Sequence, residues 1–316
     1  MRITRDIPLL ALRPLALTIG NFDGVHIGHR AMLAELSNAS RRLGVPSCVM
    51  LFEPQPREFF APDKAPARLT PLRDKLELLA DCGVDQVQIC RFDYHFAQMA
   101  PTEFIERILV SGLEVRWLQV GDDFRFGARR AGDFAMLQKS SVSMGFEVHS
   151  LPSVRVDGVR VSSTAVREAL ASGQLPWASQ LLGHPFNICG RVIKGDQLGR
   201  TLGYPTANVR IKHNRLPLSG IFAVQVHGVG SRVVRGVASL GVRPTVKIKG
   251  EALLEVYLFE FDQDIYGRHL KVDFLHKLRD EEKYSDLETL RLQIGRDVQN
   301  TRDFFVLRDK DLNAQS

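Results

Sequence analysis

In the first half of the chain, short apolar runs alternate with longer stretches in which apolar residues recur every three or four positions. The short runs predict β-strands, and the longer stretches predict amphipathic helices. Predicted strands cover residues 15–19, 47–52, 86–90, 117–120 and 146–151, and predicted helices cover 30–43, 72–81, 101–109, 134–143 and 163–172. This alternation predicts an α/β domain, a Rossmann-like parallel sheet with helices on both faces.

The pattern changes near residue 184, after a short linking helix predicted at 177–184. Apolar and β-branched segments then follow one another, separated by Gly, Pro and polar turns. They predict strands at 186–193, 221–226, 235–239, 255–261 and 271–274, followed by a helix at 287–308 in which Gly295 is a potential break. Such a series favours an antiparallel β-barrel with a terminal helix. Because 316 residues exceed a typical single core, we expect two domains, 1–183 and 184–316.

The charge of the chain is mildly positive and unevenly distributed. The net charge is +6; residues 1–183 hold 21 basic and 20 acidic side chains, whereas residues 184–316 hold 21 and 16. The sequence contains no long basic tract, so we expect phosphate-bearing small molecules as partners rather than nucleic acid.

The cysteines and the apolar segments bear on the compartment. Cys48, Cys82, Cys90 and Cys189 lie in apolar surroundings without a Cys-x-x-Cys pair, which favours buried thiols over a metal site. The first residues lack the apolar run of a signal peptide, and no segment approaches the roughly 20 apolar residues of a membrane span. The sequence therefore predicts a cytoplasmic protein without a membrane partner and leaves its oligomeric state open.

The most informative segment is 19–29, which reads Ile-Gly-Asn-Phe-Asp-Gly-Val-His-Ile-Gly-His and links a predicted strand to a predicted helix. One helical turn places His26 and His29 on the same face. Glycines such as Gly20 and Gly28 allow a turn or a close approach to a ligand. Two imidazoles beside a helix N-terminus form a site for phosphate. The His-x-Gly-His pattern resembles the signature of the nucleotidylyltransferase superfamily, which implies that the segment holds the phosphates of ATP.

Two further polar segments carry candidate chemistry. Residues 121–127, Gly-Asp-Asp-Phe-Arg-Phe-Gly, follow a predicted strand and form either a binding loop or a solvated turn. Residues 161–167, Val-Ser-Ser-Thr-Ala-Val-Arg, open a predicted helix. Their hydroxyls either cap backbone N–H groups or, together with the arginine, form a phosphate cradle.

Four segments in order, 20–29, 51–60, 120–133 and 161–167, make the first half similar to the FAD synthetase module of bacterial bifunctional riboflavin kinase/FMN adenylyltransferases. The resemblance implies that the phosphate of FMN attacks the α-phosphate of ATP and that pyrophosphate leaves. It implies that His26 and His29 contact the ATP phosphates, assisted by Mg²⁺. It also implies that Gly20, Asn21, Asp23 and Gly28 shape the pocket and bind ATP. Ser162, Ser163, Thr164 and Arg167 would bind the nucleotide and its phosphates. Asp123 and Phe124 would lie on the nucleotide and flavin side of the site.

The second half contains a glycine-rich segment at 190–208 that includes Gly199 and Gly203 and ends in Pro-Thr-Ala-Asn. Its spacing does not match a Walker A motif. A barrel loop would explain the glycines but not the hydroxyl of Thr206 and the amide of Asn208, placed two residues apart beside a proline. Oxygen atoms so placed suit a hard cation such as Mg²⁺ and its phosphates.

Pro-Thr-Ala-Asn is the hallmark of the riboflavin kinase domain, and the likeness continues through residues 220–224, 238–245, 254–261, 265–267, 277–279 and the final helix. The resemblance implies that Thr206 holds Mg²⁺ with the ATP phosphates and that Asn208 supports that site. It also implies that Glu255 is the general base and that Arg279 lines the flavin side. The pattern by itself favours an outward-facing strand residue, because a period of two puts Glu255, Tyr257 and Phe259 on one face, and the resemblance reverses this preference.

The sequence thus predicts an enzyme that phosphorylates riboflavin to FMN and then adenylylates FMN to FAD, with ATP and Mg²⁺ at both steps. Two alternatives remain at this stage. One is a nucleotidylyltransferase for another phosphorylated acceptor, and the other is a non-catalytic flavin or nucleotide sensor. Because a sensor has no need of His26, His29, Thr206, Asn208 and Glu255 together, these residues favour the bifunctional enzyme.

Overall fold

The computed structural model describes residues 1–195, 197–211, 215–242 and 252–315. These residues group into two compact units. The first unit comprises Met1–Pro66 and Thr70–Ser163, and the second comprises Ala67–Leu69 and Thr164–Ser316.

The first unit is built on a six-stranded sheet in the order β1-β4-β3-β2-β5-β6, and each neighbouring pair runs parallel. The strands are β1 (Arg2–Arg5), β2 (Leu15–Ile19), β3 (Ser47–Glu53), β4 (Gln86–Arg91), β5 (Val115–Gly121) and β6 (Glu147–Leu151), and a small hairpin, β7 (Arg155–Val156) and β8 (Val159–Arg160), follows. The strand order reverses between β2 and β5. In an open parallel sheet, ligands bind in the crevice outside the carboxyl ends of the strands at such a reversal.

Helices connect these strands. They are α1 (Ile27–Leu43), α2 (Pro56–Phe60), α3 (Leu72–Asp81), α4 (Tyr94–Ala97), α5 (Pro101–Glu103), which continues as a π-helix (Phe104–Gly112), and α6 (Phe134–Met144), with 3₁₀ turns at Pro62–Lys64 and Ala128–Arg130. The helix predicted at 101–109 is therefore longer than expected and mostly π-helical. The helix predicted at 30–43 begins three residues earlier, because the side chain of His26 caps its first turn.

The sheet buries both of its faces, as the near-continuous apolar strands predict. Along β2, Leu15, Leu17 and Ile19 pack into one core and Ala16 packs into the other, in the alternation that a strand imposes. Each fully buried leucine of this kind contributes about 1.5–3 kcal/mol relative to an exposed one. The predicted α/β class is confirmed.

Within the described residues, the second unit contains six strands that close into an antiparallel barrel in the order β10-β13-β12-β11-β14-β9. They are β9 (Asn187–Ile193), β10 (Thr206–Arg210), β11 (Gly220–His227), β12 (Val234–Val242), β13 (Ala252–Leu258) and β14 (His269–Arg279). The helices of this unit are α7 (Ser163–Ala171), α8 (Leu175–Leu182), α9 (Leu198–Thr201) and α10 (Leu287–Gln315). The predicted barrel with a terminal helix is confirmed.

The structure corrects several predicted elements of this half. The strand predicted at 255–261 begins at Ala252 and ends at Leu258, because the chain turns at Glu260, whose φ is +52°. Strand β10 is missing from the sequence prediction, since Pro-Thr-Ala-Asn has little strand propensity. It forms because it pairs with strands on both sides. Helix α10 passes through Gly295 without a break.

Two properties of the whole chain follow from the coordinates. In the part of the chain that the structure describes, no helix combines the length and apolar character needed to cross a membrane. All four cysteines lie within the described residues, and none is in a disulfide bond.

Candidate active sites

The two histidines of segment 19–29 lie at the first turn of α1, directly after β2. His26 is the N-cap residue, and its Nδ1 accepts a hydrogen bond from the backbone N–H of His29 at 3.3 Å. Because Nδ1 accepts, this bond assigns the ring proton of a neutral His26 to Nε2. The two rings stack with their centroids 3.6 Å apart. Both imidazoles therefore lie at the positive end of a helix dipole, where an anion is stabilised.

The environment of His29 favours the neutral imidazole. Burial, the charge of His26 and the charge of Lys75 lower the pKa of His29 well below its ordinary value of 6.5, burial being the largest cause. Its Nδ1 is buried and finds no hydrogen-bond partner among the described residues. A neutral imidazole at this place still carries one N–H group, which can donate a hydrogen bond to a phosphate.

The loop between β2 and α1 has an unusual backbone. Phe22, Gly24 and Val25 have φ values of +46°, +88° and +41°. Positive φ is strained for a β-branched residue such as Val25, and strain of this kind persists only where surrounding contacts hold it. Gly20 and Gly28 serve packing instead, since a Cβ atom would lie 3.1 Å from the Phe22 ring at Gly20 and 3.2 Å from His26 Nδ1 at Gly28.

Three contacts hold this loop in place. The buried carboxylate of Asp23 accepts a bond from the backbone N–H of Thr70 at 3.1 Å, and the carbonyl of Asp23 accepts one from Ser163 Oγ at 2.9 Å. The carbonyl of Asn21 accepts a bond from Lys75 Nζ at 2.6 Å. The predicted residues Asn21, Asp23 and Ser163 are thus brought together, and Ser162 immediately precedes Ser163.

Lys75 was not predicted from the sequence, although a signal exists. It lies on α3 between Leu72 and Leu79, on the face that packs against the core, and a lysine at such a position is unusual.

The predicted loop 121–127 follows β5, next to β2 in the sheet. Asp122 accepts hydrogen bonds from Arg160 at 3.0 Å and from Ser153 at 2.9 Å. The side chain of Asp123 is 78% exposed and lies 3.6 Å from Arg160. Phe124 is half-buried and stacks on Phe126 with ring centroids 5.7 Å apart. The loop therefore presents a carboxylate to solvent and an aromatic ring to the interior.

Phe124 and Phe126 belong to the wall of an aromatic cavity of about 660 Å³ in the first unit. Phe52 and Phe92, at the carboxyl ends of β3 and β4, contribute to the same wall. The basic residues of the lining are Arg57, Lys64, Arg125, Arg129 and Arg130. This cavity offers flat rings for a planar aromatic ligand and cations for an attached phosphate.

Thr164 and Arg167 belong to the second unit, on α7. Arg167 Nε donates to the carbonyl of Ala67 at 2.6 Å within that unit. Their role in phosphate binding stays a prediction.

The second unit contains a cavity of about 560 Å³ in the barrel region. Four predicted residues from distant parts of the sequence line it: Gly199, Thr206, Glu255 and Arg279. In the barrel, Glu255 lies directly opposite Asn208 on β10 and opposite Ser239 on β12. Directly opposed residues of antiparallel strands point to the same face, so this register places the three side chains in one row. Glu255 faces away from the barrel core, into which Leu254, Val256 and Leu258 of the same strand are buried. The cavity lies on this outer face, against α10, so an outward-facing Glu255 agrees with its place in the cavity lining.

Glycines pack closely against the two candidate Mg²⁺ ligands. At Gly195 a Cβ atom would lie 2.5 Å from Cγ of Asn208, and at Gly199 it would collide with the carbonyl of Tyr204 and come within 3.2 Å of Thr206 Oγ1. Gly203 has a φ of +85°, which suits a turn. The hydroxyl of Thr206 and the amide oxygen of Asn208 are of the type that a hard cation binds. Asp196 and residues 243–245 of the matching segments lie outside the described residues.

The terminal helix α10 holds the side chain of Arg279 through Asp297. Its Nε and Nη2 donate to the two carboxylate oxygens of Asp297 at 2.9 and 2.7 Å, and this pairing raises the pKa of Arg279. The bidentate pair is nearly buried. It fixes the guanidinium, so this part of the cavity wall carries a cation held in one place.

Glu281 also lines this cavity and was not predicted. Its Oε1 accepts a bond from Ser239 Oγ at 3.3 Å, and burial raises the pKa of its carboxyl. Its carboxylate lies where a side chain at position 241 would be, so a larger residue there would require the Glu281 side chain to move. No local pattern marks Glu281, since it follows Asp280 and precedes Glu282 in a polar segment.

Taken together, a helix N-terminus with two imidazoles and a barrel cavity lined by a carboxylate, a hydroxyl and an arginine are the features of an ATP-using transferase with two centres. Comparison with known proteins gives the particular family. The sequence model of the FAD synthetase family matches residues 10–165, and that of the riboflavin kinase family matches residues 182–305.

Relatives described as bifunctional riboflavin kinase/FMN adenylyltransferase match nearly the whole chain. The protein of Escherichia coli strain K12 is 51% identical over 97% of this chain and 99% of its own length. That of Haemophilus influenzae is 48% identical over 93% of this chain and 95% of its own length. The chain belongs to the family of bifunctional riboflavin kinases/FMN adenylyltransferases, and the resemblance predicted from its motifs is confirmed.

A solved structure from Streptococcus pneumoniae, described as a macrolide-efflux protein, is similar in fold. Its TM-score is 0.81 at 27% identity, and the match covers 96% of this chain and 99% of that chain. The likeness extends over both units.

Proposed function

We propose that this member of the family converts riboflavin to FMN in its barrel and FMN to FAD at the edge of its parallel sheet, with ATP as co-substrate in both reactions. The observation that carries the proposal is the barrel cavity, where Gly199, Thr206, Glu255 and Arg279 converge from positions up to 80 residues apart. A binding module with no chemistry to perform would not need a carboxylate, a hydroxyl and a cation in one cavity.

In the kinase reaction, Glu255 is the general base. Its carboxylate takes the proton of the 5′-hydroxyl of riboflavin as that oxygen attacks the γ-phosphate of ATP. Arg279, fixed by Asp297, lines the flavin side, and the glycines at 199 and 203 leave room for the nucleotide. Thr206 and Asn208 would hold Mg²⁺, which when bound neutralises charge on the ATP phosphates.

In the adenylyl transfer, the phosphate of FMN is itself the nucleophile, so the protein supplies position and charge stabilisation rather than a covalent intermediate. His26 and His29 donate hydrogen bonds to the phosphates of ATP from the N-terminus of α1. Gly20 and Gly28 allow the rings of Phe22 and His26 to pack closely beside the ATP phosphates. Asn21 and Asp23 shape the loop, and Ser162, Ser163, Thr164 and Arg167 bind the nucleotide and its phosphates. Asp123 and Phe124 lie on the nucleotide and flavin side.

The aromatic cavity beside loop 121–127 is the place proposed for FMN. The isoalloxazine ring is planar and aromatic, and it packs well against phenylalanine rings. The arginines of the rim pair with its phosphate, since guanidinium groups bind phosphate in a bidentate manner. This arrangement favours FMN over a phosphorylated acceptor that lacks a large flat ring.

We further propose that the functional boundary lies between residues 183 and 184 and that the protein acts in the cytoplasm. The absence of disulfides among its four cysteines supports a reducing compartment.

A time course tests both activities. Purified protein is incubated with riboflavin, ATP and Mg²⁺, and the flavins are separated by chromatography. FMN should form first and FAD should follow as FMN accumulates. If supplied FMN were never converted, or if another phosphorylated acceptor were adenylylated faster than FMN, the assignment of the first unit would be wrong.

A further inference from the structure

Lys75 is an almost completely buried lysine beside the candidate adenylyl-transfer centre. It is 1% exposed and lies on α3. Burying an ammonium group is costly unless the charge is compensated, so lysines are rarely found inside a folded core. Its Nζ donates to the carbonyl of Asn21 at 2.6 Å. A buried lysine thus reaches the loop that carries the histidines.

The loop it reaches needs external support. Phe22 and Val25 have positive φ values, and this conformation is unfavourable for both residue types. Such a conformation persists when surrounding contacts over-determine it. Lys75 supplies one of these contacts from α3, and Thr70 and Ser163 supply two others through Asp23. The Lys75 contact is a charge-assisted hydrogen bond, and such bonds are stronger than hydrogen bonds between neutral groups.

We infer that Lys75 is a positioning residue for adenylyl transfer: its ammonium group fixes the Asn21 carbonyl and thereby the strained loop that presents His26 and His29 to the ATP phosphates. The inference rests on the proposed adenylyl transfer at these histidines. A buried Lys75 does not touch substrate. It acts by holding the loop, and its charge reaches His29, whose pKa it helps to lower.

The test replaces the lysine by an uncharged side chain of similar length. In Lys75→Met we expect kcat for FMN adenylylation to fall by about twentyfold, because a displacement of about 1 Å in the loop costs as much as a hundredfold in rate. KM for FMN should change less than twofold. Riboflavin kinase activity of the same molecule should stay within twofold of wild type. Lys75→Arg, which keeps a cation and N–H donors, should recover at least half of the decrease in log kcat for FMN adenylylation.

Lys139→Met is the matched control, since Lys139 is an exposed lysine of α6 in the same unit. It should leave both activities unchanged. If thermal unfolding shows that Lys75→Met destroys the first unit, Lys75→Gln is measured in its place with the same expected fall in kcat.

The outcomes separate this inference from the proposed function. Wild-type protein that makes no FAD contradicts the proposed function itself. Wild-type protein that makes FAD, beside a folded Met or Gln variant with kcat within twofold of it, overturns the role of Lys75. A folded Lys75→Arg protein as impaired as the Met variant overturns it too.

Discussion

The two candidate centres place their polar groups in different ways. In the parallel-sheet unit, His26 and His29 come from one helical turn and the preceding loop, so ten consecutive residues make most of the candidate phosphate site. In the barrel, Thr206, Ser239, Glu255 and Arg279 come from four different strands. The first centre is a local structure held by a few distant contacts, whereas the second exists only when the barrel is closed.

This difference has a physical consequence for each centre. The sheet-edge site stores backbone strain at Phe22 and Val25 and depends on Lys75, Thr70 and Ser163 to keep it. The barrel site depends on strand register, because a shift of one residue would turn Glu255 away from the cavity. Damage to one centre should therefore leave the other intact, which the following predictions examine.

The largest effect is expected for Glu255→Gln in the barrel. Loss of a general base lowers a rate by 10² to 10⁴, so FMN formation should fall by about a thousandfold. Conversion of supplied FMN to FAD should stay within twofold of wild type. Initial rates with riboflavin and with FMN as separate substrates measure the two.

Glu288→Gln, at an exposed position of α10, is the control and should affect neither reaction. If Glu255→Gln lost both activities while circular dichroism showed a folded protein, the two centres would not be separate.

The converse effect is expected for His29→Ala. Removal of one donor that stabilises developing charge costs about 10² to 10³ in rate, so FAD formation should fall by about a hundredfold. FMN formation from riboflavin should persist. The exposed His95 of α4 offers a matched control, His95→Ala, which should retain both activities. A kinase rate that fell along with adenylyl transfer would contradict the separation.

A smaller effect is expected for Asp297→Asn, which weakens the bidentate ion pair that holds Arg279. The charge-assisted pair contributes about 1.5–3 kcal/mol, and part of this loss should appear as a lower free energy of unfolding of the second unit. If about 1.4 kcal/mol appears in flavin binding, KM for riboflavin rises about tenfold. Urea unfolding and kinase kinetics measure these two quantities. An unchanged KM for riboflavin would show that Arg279 does not contact the flavin.

The smallest effect concerns pH. The native pKa of His29 lies well below 6.5. As the pH falls below 6.5, His29 therefore becomes protonated in the unfolded chain while it stays neutral in the native protein. His29 therefore lowers the stability of the first unit as pH falls from about 6.5 towards its native pKa, and contributes no change above pH 7. The loss in urea midpoint between pH 7.5 and pH 5.5 should be smaller in His29→Ala than in wild type. An equal loss in both proteins would place the native pKa of His29 near its ordinary value.

Much of the fold and of the sheet-edge site could be predicted from the sequence. Periods of two and near 3.6 marked most strands and helices, since these periods follow from local backbone geometry. His26 and His29 were legible because their spacing matches one helical turn. The strand at Thr206–Arg210 could not be predicted from the sequence, because its formation depends on pairing with β9 and β13 rather than on its own residues.

The sequence by itself determined the α/β and barrel classes, the family, and the candidate residues that lie in compact motifs. Only the tertiary structure decided that Lys75 reaches the histidine loop, that phenylalanines from the ends of three strands and the segments between them form one cavity, and that Glu281 joins Ser239 beside Glu255. The Lys75–Asn21 and Ser239–Glu281 contacts join residues 54 and 42 positions apart, and the cavity brings together phenylalanines up to 74 positions apart. Such contacts are set by strand order, register and burial, and none of these is encoded in the spacing of a motif.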